Sequence, residues 1–269
     1  VQYSGTADWI KHFTASTFLL QPFFPSADYF FSFNSPSWSL GCEQLFYFCF
    51  PLIVPFLHTK RSLFITLLIC LPIMLAGMYL TNEEQIKAYW YVNPFTRLPD
   101  FFVGVLLYQF YRSLCNKKLS YSTGTLLEAG AVALFLLFFL CAADIPKVYR
   151  YSCYYWLPVS LIILIFALQQ GGISRLLSNR FLIIGGEISY SFYLIHLFII
   201  DAYMRMSAHY HWQIQWTISV PVILCITIIL SLLSFYYFEK PANKWVKRIF
   251  TKKTIINQPH GIINKNTTN

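Results

Sequence analysis

Four ionisable side chains sit where an apolar sequence offers them no cheap place. Glu43 lies in Trp38-Ser39-Leu40-Gly41-Cys42-Glu43-Gln44-Leu45-Phe46-Tyr47. Arg97 and Asp100 lie in Asn93-Pro94-Phe95-Thr96-Arg97-Leu98-Pro99-Asp100-Phe101, and His196 ends Ile188-Ser189-Tyr190-Ser191-Phe192-Tyr193-Leu194-Ile195-His196. An ionisable group in a lipid-facing span costs free energy, so it requires a partner, a water-filled cavity or a task. A carboxylate at Glu43 can take a proton, hold a substrate hydroxyl or pair with a cation. It also fits a helix start capped by Ser37 or Ser39, where it complements the helix dipole. Arg97 has the planar fork that suits phosphate or carboxylate, and Asp100, three residues on, is placed to pair with it. The imidazole of His196 can serve as a general base near neutral pH, or it can hydrogen-bond a neighbouring helix. Spacing alone leaves these alternatives open.

Helical periodicity groups further residues with them. Glu43, Phe46, Tyr47 and Phe50 share one face, and Ser189, Tyr193 and His196 recur at i, i+4 and i+7 as a polar stripe. Glu128, Asp144, Glu187 and Asp201 fall near expected span ends, where solvation is cheap. Thr227, Ser231 and Ser234 read as a face for close helix packing. His209 and His211 lack the further Cys or carboxylate partners of a metal site, so no metal is expected. The 7 cysteines form no C-x-x-C pair and read as small packing residues rather than a disulfide frame. No phosphate-binding G-x-x-x-x-G-K-[ST], no G-x-S-x-G and no H-E-x-x-H is present.

The elements that must position these groups follow from composition. The chain of 269 residues is 57% hydrophobic and 12% charged, about half the charge of an ordinary soluble domain. It is predicted to be an all-α, polytopic transmembrane bundle with about seven spans: Trp38–Leu57, Ser62–Leu80, Arg97–Ser113, Thr123–Ala143, Ser152–Gln169, Phe181–Tyr203 and Gln213–Phe238. Each is near the ~20 residues that cross the hydrocarbon core. The expected division is an extracytoplasmic or interfacial segment (1–37), the membrane bundle (38–238) and a basic cytoplasmic tail (239–269).

The net charge of +9 is read as topology. One side carries Lys60, Arg61, Arg112, Lys117, Lys118, Arg175, Arg180 and the basic tail; the other carries Lys11, Lys87, Arg97, Lys147, Arg150 and Arg205. The heavier side faces the cytoplasm, and the tail decides the balance. Nucleic acid is not an expected partner, because the basic residues are scattered between apolar spans. The lipid bilayer is. A first residue of Val1 leads us to expect a C-terminal portion of a longer chain, with an odd number of helices upstream.

Four segments resemble one family. Trp38-Ser39-Leu40-x-x-Glu43-x-x-Phe46-Tyr47, Arg97-Leu98-Pro99-Asp100-Phe101-x-x-Gly104, Gly186-x-Ile188-Ser189-Tyr190-Ser191-x-Tyr193-Leu194-x-His196 and Phe238-Glu239-Lys240-Pro241 resemble, in order, the signatures of the acyltransferase-3 family of membrane O-acyltransferases. The chain departs at Gly41-Cys42 and Gln44-Leu45, where small/aliphatic and Glu-Gln pairs are commoner. The resemblance implies a bundle of about ten helices, three of them upstream, in a plasma or inner membrane. It implies transfer of an acyl group, usually acetyl, from cytoplasmic acyl-CoA to hydroxyls of an extracytoplasmic carbohydrate or lipid-linked glycan, with no tightly bound cofactor. The family's main catalytic histidine and its donor-handling arginines then lie upstream of Val1. Glu43 and His196 take supporting catalytic roles. Trp38, Ser39, Tyr47, Arg97, Asp100, Ser189, Tyr190 and Tyr193 bind substrate. A multi-span transporter or flippase is the alternative, but Pro51, Pro55, Pro72 and Pro158 show no symmetry between two halves. A seven-helix receptor matches the count of spans and not the four segments.

Overall fold

A computed structural model describes residues 4–53, 55, 59–211 and 215–256, with side chains to residue 251. The expected end of the first span, the first two residues of the seventh, and the tail beyond 256 lie outside the described residues. Among the described residues the chain is all helix, with no strand. It divides into two compact units, residues 1–183 and 184–269.

The first unit opens with α1 (Thr6–Thr17), a 3-10 turn (Gln21–Phe23), α2 (Ala27–Phe30) and a second 3-10 turn (Ser35–Ser37). This segment is folded rather than extended. Ser16 and Ser32 hydroxyls meet at 3.0 Å, and the fully buried Gln21 donates from Nε2 to Ser37 Oγ at 2.9 Å. It seats on α3 (Trp38–Ile53) at Gly41, where a Cβ would stand 2.5 Å from the carbonyl oxygen of Leu19. Only glycine permits that approach.

The helices that follow start with side-chain caps, as their sequences suggest. Thr59 caps α4 (Lys60–Leu80), Asn93 caps α5 (Pro94–Leu114) and Ser120 caps α6 (Tyr121–Cys141). Pro94, not Pro99, takes the first-turn position of α5 that suits a ring without an N–H. Then come α7 (Lys147–Arg150), α8 (Trp156–Leu168) and α9 (Gly172–Leu177). A π-helical turn, Lys87–Val92, leads into α5. Helix α5 packs against α3, α4 and α8, and α6 against α8 and α9. Met74, Met78, Ile86, Trp90 and Val148 form the core around this turn.

Glu128 departs from the expectation of a solvated span end. It is 1% exposed. Its carboxylate accepts the backbone N–H groups of Gly171 (3.0 Å), Ile173 (2.8 Å) and Ser174 (3.1 Å) and the hydroxyl of Ser174 (2.5 Å). A buried carboxylate is tolerated when donors saturate it in this way. Gly171 is needed here, since a Cβ would lie 2.2 Å from Glu128 Oε2.

Helix α10 (Arg180–Tyr210) runs into the second unit, which also holds α11 (Trp216–Ser234), a π-helical turn (Phe235–Glu239) and α12 (Lys240–Ile256). Within it α10 and α11 are tied by Tyr203 and Ser219, whose hydroxyl oxygens are 2.5 Å apart. Thr227 and Ser231 are buried, as a packing face requires.

Within the described residues, each expected span falls mainly on helix. Four helical stretches among the described residues are long and apolar enough to cross a bilayer: Lys60–Leu80, Tyr121–Asp144, Arg180–Tyr210 and Trp216–Thr251. The described part of α3 has 16 residues and α8 has 13, and α5 carries Arg97, Asp100 and Arg112.

Candidate functional site

The site in the first unit is built around Arg97. The N-cap at Asn93 starts α5 so that Arg97 stands in its first turn, over the π-helical turn that precedes it. Arg97 Nε donates to the carbonyl of Tyr91 at 2.9 Å, and Nη1 donates to Asp100 Oδ2 at 3.0 Å. The guanidinium carbon lies 5.5 Å from the centre of the Tyr91 ring. Among the described residues, Nη2 has no partner. The side chains of Arg97 and Asp100 are 16% and 29% exposed, so this is a largely desolvated pair of fixed geometry. Asp100 is held from its other side, where Trp156 of α8 donates Nε1–H to Oδ1 at 2.6 Å. With both oxygens engaged, Asp100 orients Arg97 and is poorly placed to act as a base.

The start of α3 joins this group. The Trp38 ring packs on Tyr91 with centroids 4.9 Å apart, Tyr91 packs on Tyr151 at 5.1 Å, and Cys42 Sγ donates to the carbonyl of Val92 at 3.3 Å. The first two sequence segments are thus brought together by the π-helical turn between them. Ser39 donates to the carbonyl of Pro36 at 3.1 Å. Glu43 is exposed, and Tyr47 is 71% exposed. Phe46 and Phe50, on the same helical face, pack on Phe101 with centroid distances of 5.3 and 5.7 Å. A cavity of about 960 Å³ runs beside α5 and is lined by Asp100.

The second unit presents the polar stripe of α10. His196 Nδ1 lies 2.7 Å from the carbonyl oxygen of Tyr193. A carbonyl only accepts, so Nδ1 carries a proton and Nε2 is the ring nitrogen left to face a substrate. The rings of Phe192 and Tyr193 flank the imidazole at 6.1 and 6.0 Å. Ser189 donates to the carbonyl of Gly186 at 2.7 Å, and Tyr190 is 47% exposed. The third and fourth segments meet here: the buried Ser191 hydroxyl donates to Glu239 Oε1, which the π-helical turn Phe235–Glu239 carries.

Two members of the Arg97 group escape a reading by sequence. Tyr91 acts through a backbone carbonyl, which leaves no trace in residue type. Trp156 has a weak signal, since an indole N–H at a span end seeks an acceptor, but its partner is 56 positions away.

The sequence model described as an acyltransferase domain matches residues 2–236. The chain belongs to the acyltransferase-3 family. It is an integral membrane protein, on the strength of the family and the four long apolar helices. The O-acetyltransferase OatA of Staphylococcus aureus (strain NCTC 8325 / PS 47) is 28% identical over 221 residues, 77% of this chain and 36% of that protein. The acyltransferase MdmB of Streptomyces mycarofaciens is 24% identical over 215 residues, 74% of this chain and 54% of that protein. YrhL of Bacillus subtilis (strain 168), provisionally named a peptidoglycan O-acetyltransferase, is 26% identical over 255 residues, 87% of this chain and 39% of that protein. The chain therefore spans about a third to a half of the length of these relatives. No solved structure matches it at a significant level.

Proposed function

We propose that the protein transfers an acyl group, acetyl by preference, from acyl-CoA to hydroxyls of an extracytoplasmic carbohydrate or lipid-linked glycan. The observation that carries this reading is Arg97, held at three points in a desolvated site with Nη2 unpartnered among the described residues, and paired with Asp100, which lines a cavity of about 960 Å³. The names of OatA and YrhL support acetyl as the group, and that of YrhL supports peptidoglycan as the acceptor.

The chemistry is a thioester-to-ester exchange. The acceptor oxygen attacks the thioester carbonyl. A C–O bond forms, the C–S bond breaks, the hydroxyl proton passes to a base, and the CoA thiolate leaves and is protonated. Arg97 donates to the carbonyl oxygen as negative charge develops there. Asp100 and Trp156 fix its direction, and Trp38, Ser39 and Tyr47 flank the acceptor. Glu43 and His196 take supporting roles in proton handling and orientation, with Ser189, Tyr190 and Tyr193 on the substrate.

In this reading the chain forms about seven spans, with 38–238 as the bundle, 1–37 outside or at the interface, and 239–269 in the cytoplasm under a plasma or inner membrane. Labelled acetyl-CoA supplied to membranes containing the full-length protein should label the membrane glycan, and Glu43→Gln and His196→Ala should each reduce that labelling. Unchanged labelling in both variants rules out these two assignments.

A further inference from the structure

The cavity beside α5 has two unlike ends. Asp100 lines it near the start of α5, and Arg112 and Ser113 line it in the last turn. From Asp100 to Ser113 the helix rises about 20 Å at 1.5 Å per residue. Lys60, the first residue of α4, joins the second end, where its Nζ donates to Ser113 Oγ at 2.7 Å and lies 4.9 Å from the centre of the Phe110 ring. That end therefore carries two cations, Lys60 and Arg112, and no carboxylate among its lining residues. Between the ends the wall is mostly apolar, with Phe46, Phe50, Phe101 and Val105, and Tyr108 and Gln109 stand nearer the cationic end. Gly104 lines it too, and a Cβ built there would meet no atom within 4 Å. This glycine keeps open space open. It is not demanded by a neighbour, as Gly41 and Gly171 are.

We infer that the cavity is the donor site: Lys60 and Arg112 hold the phosphates of an acyl thioester, its long uncharged arm lies along Phe46, Gly104 and Val105, and its acyl carbonyl accepts from Arg97, which Asp100 holds at the other end of the cavity. This rests on the proposed acyl transfer. Two cations at one mouth suit phosphate oxygens, and an apolar tube suits an arm without charge. The far end separates a thioester from an anionic phospholipid of the same length. A lipid tail would set bare methyl groups against the Arg97–Asp100 pair and leave its donors unsatisfied, which is costly in a desolvated site. A thioester carbonyl gives Arg97 an acceptor. The geometry also links the two faces of the proposed topology, because Lys60 and Arg112 are on the cytoplasmic side and Arg97 is on the outer side.

The test uses the full-length protein in nanodiscs of neutral phosphatidylcholine, with acetyl-CoA and S-acetylpantetheine as donors. The second donor has the same arm and no phosphate. For Lys60→Ala/Arg112→Ala, the ratio of KM for acetyl-CoA to KM for S-acetylpantetheine should rise about ten-fold or more, the worth of one lost charge-assisted contact. Gly104→Phe sets a ring into the tube from a position where a Cβ meets no atom within 4 Å, and should raise KM for both donors together. An unchanged ratio in the double variant overturns the inference. So does turnover by Gly104→Phe equal to wild type. Phosphatidylglycerol that co-purifies with wild type and is lost from the double variant, with the donor ratio unmoved, assigns the cavity to lipid instead. If wild type transfers acetyl from neither donor, the functional reading fails. Binding of desulfo-CoA then decides the site by itself: loss in the double variant sustains it, and equal binding overturns it.

Discussion

Arg97 is fixed by a carboxylate, a backbone carbonyl and an aromatic face, and lysine lacks the rigid fork that meets the first two together. The Nε bond to Tyr91 and the Nη1 bond to Asp100 need a planar fork. Arg97→Lys should therefore keep the charge and lose the aim, and acyl transfer should fall by roughly 10²-fold, the usual cost of a removed oxyanion donor. The rate of glycan acetylation at equal protein level checks this, and a rate within a factor of about two of wild type would remove Arg97 from the chemistry. The pairing of Arg97 with Asp100 was legible from three-residue spacing. The clasp of Asp100 by Trp156 was not, because nothing local couples positions 56 apart. His196 shows the same limit. Its place on a polar stripe follows from periodicity, while the proton on Nδ1 follows only from the carbonyl it meets.

At the scale of elements, two contacts hold segments whose sequences alone would not dock. Glu128 gathers four donors at the start of α9 and so pins the connection after α8 to α6. Truncating it leaves those donors buried. Glu128→Ala should cost about 3 kcal/mol, and Glu128→Gln roughly half of that, since the amide still accepts on one oxygen. Thermal unfolding in detergent reads this directly; equal midpoints for Ala, Gln and wild type would show that the clasp contributes nothing. Gly41 is the second contact. A Cβ there strikes both Leu19 and Pro22, so Gly41→Val should shift the 4–37 segment off α3 and expose it to limited proteolysis. Protection equal to wild type would contradict that. The seven apolar runs were legible as helices because lipid-facing composition and length are local properties. The π-helical turns at Lys87–Val92 and Phe235–Glu239 were not, although they set the approach of the first two segments and of the last two. Their irregular bonding depends on what the flanking helices pack against.

Over the whole molecule, orientation rests on a narrow balance of charge. In the proposed topology the tail's Lys240, Lys244, Lys247, Arg248, Lys252, Lys253 and Lys265 decide which side is cytoplasmic. Replacing all seven with Gln should give mixed orientation, seen as a C-terminal reporter active on both sides of the membrane. A reporter that stays wholly cytoplasmic would show that other segments set the topology. The fold class was legible from composition, and the family from four ordered segments. The acyl donor and acceptor follow from the resemblance to that family and not from any one residue, and transport of the acyl group across the bilayer is the claim on which the account stands. It is tested most directly with purified full-length protein in proteoliposomes, oriented with the tail outward, with labelled acetyl-CoA outside and the glycan acceptor trapped within. The account predicts labelled ester on the trapped acceptor with wild type and a loss of roughly 10²-fold with Arg97→Ala. An unlabelled acceptor, or equal labelling by the two proteins, would contradict it.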